Sequence, residues 1–137
     1  LVAALTERVR RGRPLLSVCL GMQVLFDGSD ESPGVPGVGV ANGQVTRFPD
    51  QEGLLVPHFG WNRVVPDEGC ELLQDGYAYF AHSFRAAELP DGWHGATTDH
   101  GGSFVAAIER GPVVACQFHP ELSGAWGAAL LQRWLAA

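Results

Sequence analysis

Cys19 ends an abrupt apolar run, Leu15-Leu16-Ser17-Val18, and is followed by Leu20-Gly21-Met22-Gln23. A cysteine where a buried strand gives way to a helix outlines a nucleophile elbow, with the reactive side chain exposed on a tight turn above a sheet. A helix starting just after Cys19 turns free N–H groups and a positive dipole end toward the sulfur, favouring thiolate over thiol. The same residues also suit an inert cysteine in a buried strand, since free cysteine is among the most buried residue types. His119 and Glu121, in Gln117-Phe118-His119-Pro120-Glu121, are what a thiol nucleophile would need nearby. Two apart on an extended chain, they share one face, and Pro120 between them has no N–H to give a neighbouring strand. His119 would take the proton from Cys19, while Glu121 orients the imidazole and stabilises its charged form. Taken alone, the pair reads as a loop histidine beside a solvated glutamate. Paired with a cysteine at another strand end it becomes a constellation, because parallel α/β sheets place their sites at strand C-termini.

The elements that must position these groups follow from periodicity. Leu1, Leu5 and Val9 recur at four-residue spacing with charged residues between them, predicting an amphipathic helix over 1–11 closed by Gly12 and Pro14. Leu15–Val18 reads as a strand covered on both faces, and Met22–Phe26 as a short helix stopping near Gly28. Ser29 to Gly43 is rich in Gly, Pro, Ser and Asp and reads as a long loop. Strands are expected at Gln44–Phe48, Arg63–Val65, Tyr77–Phe84, His94–Thr98, Phe104–Glu109 and Val113–Phe118, and a final helix at Gly124–Ala136. The expected architecture is α/β: a central, mostly parallel sheet flanked by helices, with an antiparallel portion in the second half.

Composition limits the function classes. The 137 residues are one domain's worth of chain, and a formal net charge of −6 without a basic run argues against nucleic acid or an anionic membrane as partner. Three widely spaced cysteines, Cys19, Cys70 and Cys116, fit neither a disulfide framework nor a zinc knuckle. No apolar segment reaches membrane-spanning length and no secretory signal pattern opens the sequence, so a cytoplasmic protein is expected.

The stretch from Ser17 to Gln23 resembles the G-x-C-x-G-x-Q nucleophile motif of class I, triad-type glutamine amidotransferases, and Gln117–Glu121 resembles their second motif. Within that class, Cys19–Phe26, Val56-Pro57-His58-Phe59-Gly60-Trp61-Asn62 and Tyr79-Phe80-Ala81-His82-Ser83-Phe84 are similar to the glutaminase subunits of imidazole glycerol phosphate synthase, from histidine biosynthesis. The resemblance implies a three-layer, flavodoxin-like fold over one amidotransferase domain, 1–137. It implies that Cys19 attacks the glutamine side-chain amide, giving a glutamyl thioester and ammonia, with Leu20 N–H as one oxyanion donor. Gln23 and Glu31 would hold the amino-acid end of glutamine, helped by the backbone at Ser83 and Phe84, and no cofactor or metal is implied. Glu31 also reads as a solvated loop acid, and Trp61 as a core residue beside a loop histidine. By the resemblance, Pro57, His58, Gly60, Trp61 and Asn62 instead face a cyclase subunit, a (β/α)8 barrel that receives the ammonia in a heterodimer. His82 is expected beside the glutamine pocket, His100 on a surface turn, and Cys70 and Cys116 in structural roles.

Three departures qualify the resemblance. Ser17 stands where the motif has glycine, which threatens to crowd the elbow. Leu122 replaces a lysine, removing an ion pair expected with the cyclase. The glycine-rich segment supplying a second oxyanion donor, and the first strands of the sheet, belong upstream of Leu1. A chain without them is expected to be a piece of a longer protein and, alone, poorly stable and weakly active. The alternatives are another amidotransferase of this class, serving purine or anthranilate synthesis, or an interaction subunit with the same fold and little turnover.

Overall fold

The computed structural model describes all residues, Leu1–Ala137. Its elements in chain order are helix α1 (Val2–Arg10), strand β1 (Leu15–Val18), helix α2 (Leu20–Gln23), and strands β2 (Gly28–Ser29), β3 (Gln44–Arg47), β4 (His58–Pro66), β5 (Gly76–His82), β6 (Phe84–Ala86), β7 (His94–Asp99), β8 (Ser103–Arg110) and β9 (Val113–Cys116). A 3-10 turn (Pro120–Leu122) and helix α3 (Gly124–Ala136) complete the chain. Six strands form one sheet in the order β1-β9-β8-β7-β4-β5, and β2-β3-β6 form a second, smaller one.

The sheet is mixed, as expected, but it is not mostly parallel. In the large sheet only β1 and β9 run parallel, and every other pairing is antiparallel. The physical reason lies in the connections. From β4 onward the strands are joined by short turns or loops, and a tight turn can only return an antiparallel neighbour.

The core lies on both faces of this sheet. Along β9, Val114 and Cys116 join one buried cluster with Val64, Phe80, Phe104, Phe118 and Leu130 of α3. Val113 and Ala115 point the other way, into a cluster with Val9 of α1, Met22, Phe26, Val45 and Ile108. The period-two alternation of a strand thus feeds two cores, which is why β9 is apolar at every position. β1 looks equally apolar, and within residues 1–137 its four residues are half-buried with β9 as their pairing partner.

Three other expectations change. The helix after Cys19 is one turn, Leu20–Gln23, not Met22–Phe26. The 77–84 strand divides at Ser83, giving β5 to the large sheet and β6 to the small one. The 63–65 strand is the end of a nine-residue strand that starts at His58. No helix is long and apolar enough to cross a membrane.

Candidate active site

The site is assembled where β1 and β9 end together. Register pairs Val18 with Cys116, and the Cys19 N–H donates to Cys116 O at 2.7 Å, so the chain turns immediately beyond a fixed point. Cys19 has φ +54° and ψ −109°, the only non-glycine residue with positive φ. A side chain rarely accepts that conformation, and such strain concentrates at functional sites. The elbow expected from sequence is therefore present. Ser17 does not crowd it: even a Cβ at Gly21 would lie 3.4 Å from Ser17 Cβ, an ordinary van der Waals contact.

The thiol chemistry differs from expectation. A four-residue helix carries little of a helix dipole, so α2 does not make a thiolate by itself. Half-burial pushes the Cys19 thiol up. A hydrogen bond from the Leu20 backbone and one from the Gln117 side chain pull it down by less, and the charges of Glu121 and Glu31 push it up again. Burial and the two carboxylates thus favour the neutral thiol over the thiolate.

The candidate base, His119, lies three residues past β9. His119 Nδ1 lies 2.6 Å from Glu121 Oε1, as the pairing requires, leaving Nε2 for a proton. The reason for the contact is not the shared face of an extended strand. Glu121 sits in the 3-10 turn Pro120–Leu122, and the turn folds its carboxylate back onto the imidazole. Ser123 secures the arrangement, donating to His119 O at 2.6 Å and accepting from Tyr79 N–H at 2.9 Å. Gly127 lets α3 approach the turn: a Cβ there would lie 2.0 Å from the Pro120 carbonyl oxygen. Cys19 and His119 thus stand at the same end of adjacent parallel strands. No hydrogen bond joins them, and the sulfur's contacts are to Ala81 O at 4.0 Å and Gln117 Nε2 at 3.7 Å.

A groove of about 340 Å³ runs alongside, lined by Leu20, Gln23, Ser29, Glu31 and apolar residues of α1 and the 35–38 segment. It brings Gln23 and Glu31 together as expected, with Glu31 exposed. Ser83 and Phe84 do not line it. The Phe84 carbonyl accepts from Gln23 Nε2 at 2.9 Å, and the Ser83 carbonyl accepts from Phe48 N–H.

The expected partner-facing residues separate by strand period. His58 points inward and is only 2% exposed, whereas Trp61 is 54% exposed. Pro57 is also exposed, while Gly60 and Asn62 are half-buried. Burial thus overturns the outward placement of His58. Phe59 (66% exposed) and Tyr77 (59% exposed) share the outer aspect of this hairpin with Trp61. The core placement of Trp61 fails for the same reason.

Inside, His58 Nε2 lies 2.7 Å from Asn62 Oδ1, whose Nδ2 donates to Asp99 O. His58 Nδ1 is 3.1 Å from His82 Nε2, and His82 Nδ1 donates to Phe84 O at 2.8 Å. His100 stacks on His58 with ring centroids 4.0 Å apart, so it is not a plain surface-turn residue. Burial pushes His58 down and His82 down to about 4. Burial likewise pushes Cys70 up to about 12 and raises Cys116, consistent with structural thiols.

Gln117, Ser123 and Tyr79 were the positioning groups that spacing alone did not single out. Each acts on a residue remote in sequence, and only Ser123 lies outside the stretches that carry the resemblance.

The sequence matches the class-I glutamine amidotransferase family over residues 2–136. It is 47% identical over 129 residues to the imidazole glycerol phosphate synthase subunit HisH of Deinococcus radiodurans, covering 91% of this chain and 60% of that protein. It is 45% identical over 136 residues to the same-named subunit of Thermococcus kodakarensis, covering 93% of this chain and 68% of that protein. The chain therefore spans about two thirds of the length of these relatives or less. A solved glutamine amidotransferase superposes with a TM-score of 0.69 over 98% of this chain and 66% of that one, at 22% identity, and so supports the fold. Elbow, fold and sequence agree: the chain belongs to the class-I glutamine amidotransferase family.

Proposed function

We propose that residues 1–137 form one amidotransferase domain that hydrolyses glutamine to glutamate and ammonia. The ammonia passes to a cyclase subunit, a (β/α)8 barrel, which makes imidazole glycerol phosphate. The observation that carries the reading is the strained elbow at Cys19 placed beside a strand whose end holds the His119–Glu121 pair at 2.6 Å. His119 removes the thiol proton, and the sulfur attacks the amide carbon. Charge on the resulting oxyanion falls toward Leu20 N–H, and a donor of that kind contributes about 3 kcal/mol. The proton then goes from His119 to the leaving ammonia, and water attacks the thioester with His119 again as base. Gln23 and Glu31 suit the amino-acid end of the substrate, Glu31 as the anion for its ammonium. Phe84 acts indirectly, its backbone carbonyl holding the Gln23 amide in place. Trp61, with Pro57, Gly60 and Asn62 beside it, suits docking to the barrel, since buried tryptophan is enriched where interfaces hold most tightly.

The test is glutamate release by the protein mixed with a cyclase subunit and its ribonucleotide ligand, with Cys19→Ala as control. Ligand-stimulated release that vanishes in Cys19→Ala is expected. Release that survives the substitution, or no stimulation at all, overturns the reading. A Trp61→Ala variant is expected to lose the stimulation and keep the basal rate.

A further inference from the structure

Gln117 is 1% exposed and sits one residue past β9, between the fully buried Cys116 and Phe118. Burying a carboxamide there is costly unless its hydrogen bonds are made. Its Oε1 accepts from Gln23 Nε2 at 2.9 Å, and its Nε2 points at Cys19 Sγ at 3.7 Å. The orientation is forced. The Phe84 carbonyl can only accept, so Gln23 must present its NH2 to it. The second hydrogen of that NH2 goes to Gln117 Oε1, and Gln117 therefore has only its own NH2 left for the sulfur. A neutral thiol is a weak acceptor. A thiolate is a strong one, because hydrogen bonds to ionised groups are roughly twice as strong as neutral ones. The contact thus favours the charged sulfur over the uncharged one.

We propose that Gln117 is a positioning residue for the nucleophile: oriented by Gln23, it holds a side-chain N–H on Cys19 Sγ and stabilises the thiolate. The proposal rests on the reading of Cys19 as nucleophile, but it makes a claim about the resting thiol that needs no turnover to check. It also gives Gln23 two tasks. Both hydrogens of its amide are spent inside the protein, and its Oε1 is left as the atom that can meet a substrate.

The test is the pH dependence of Cys19 alkylation by iodoacetamide, followed by peptide mass spectrometry. N-acetylcysteine added to the same reaction serves as reference, and circular dichroism checks the fold. Gln117→Met keeps volume and removes the donor, and its midpoint is expected about one pH unit higher, which is about tenfold less thiolate at a given pH. Gln117→Glu, which replaces the donor with a carboxylate, is expected to move it further the same way. Gln23→Met leaves Gln117 in place but frees its amide to turn, and a smaller rise is expected. This variant keeps the question open to refutation should the Gln117 variants fail to fold. Unchanged midpoints in the folded variants overturn the proposal. Shifted midpoints in a protein that never releases glutamate would instead overturn the glutaminase reading and leave the proposal standing.

Discussion

Leu15–Val18 and Val113–Cys116 lie side by side, parallel and in register, and their sequences are hard to tell apart by composition. The structure treats them differently. β9 has a neighbour on each side and a core on each face, and all four of its residues are buried. β1 has one neighbour and is half-buried throughout. The candidate base, His119, follows the strand buried at all four positions, and the strained Cys19 follows the half-buried one. Strain at Cys19 must be offset by its surroundings, and Leu20 (61% exposed) and Val24 (40% exposed) line the groove beside it. The lesson is that two strands of equal apolarity need not be equally stable, and that partners and faces decide.

Substitutions can break this asymmetry or sharpen it. The largest effect is expected from Cys19→Ala, which should lower glutamate release by a factor of about 10³ or more. Its companion Cys19→Gly should be as inactive yet more stable by about 1 kcal/mol in urea unfolding, because glycine accepts the φ that cysteine does not. On the held side, Phe118→Ala removes a ring that is 0% exposed and is expected to cost about 3–5 kcal/mol. Leu16→Ala on β1 should cost about half as much or less, by the same accounting applied to a half-buried side chain. Equal losses for these two would dissolve the comparison.

A smaller effect is expected from pH. Burial holds His82 at about 4 against an ordinary 6.5, helped by the nearby His58, His100 and His119. Below about 6.5 the unfolded chain takes up a proton at His82 that the folded protein refuses until near 4. Its contribution to stability is thus intact above 6.5 and is lost as pH falls toward 4. Unfolding midpoints measured across that range should show the loss, and a His82→Gln variant should flatten it. Smallest of all, Leu122→Lys is expected to leave stability within about 0.5 kcal/mol, since Leu122 is 53% exposed.

Much of this was legible in the sequence. β1 and α3 fall on the residues their patterns named, and Cys19, His119 and Glu121 arrive at one end of adjacent strands as their motifs implied. What was not legible had a common cause. β4 begins at His58 behind a proline and is interrupted by Gly60, and its outward positions carry Phe59 and Trp61. A half-exposed strand with apolar residues outside does not show the usual alternation. Glu121 was placed on a strand although its contact comes from a turn, because proline after an extended residue suits both. Glu109 was read only as the end of a strand, yet its buried carboxylate gathers the backbone N–H groups of Glu71, Leu72 and Leu73. Gln117, Ser123 and Glu109 all act on partners 36 to 98 residues away, and no local pattern announces such bonds.

The run of side chains from Asn62 to Phe84 has one arithmetical consequence. Phe84 O takes the Nδ1 hydrogen of His82, and Asn62 Oδ1 takes the Nε2 hydrogen of His58. Two neutral imidazoles own two such hydrogens, so none remains for the 3.1 Å gap between His58 Nδ1 and His82 Nε2. Burial keeps both rings from gaining another. Near neutral pH, two lone pairs therefore face each other between the strand bearing Trp61 and the carbonyl that Gln23 grips. That gap is one proton wide.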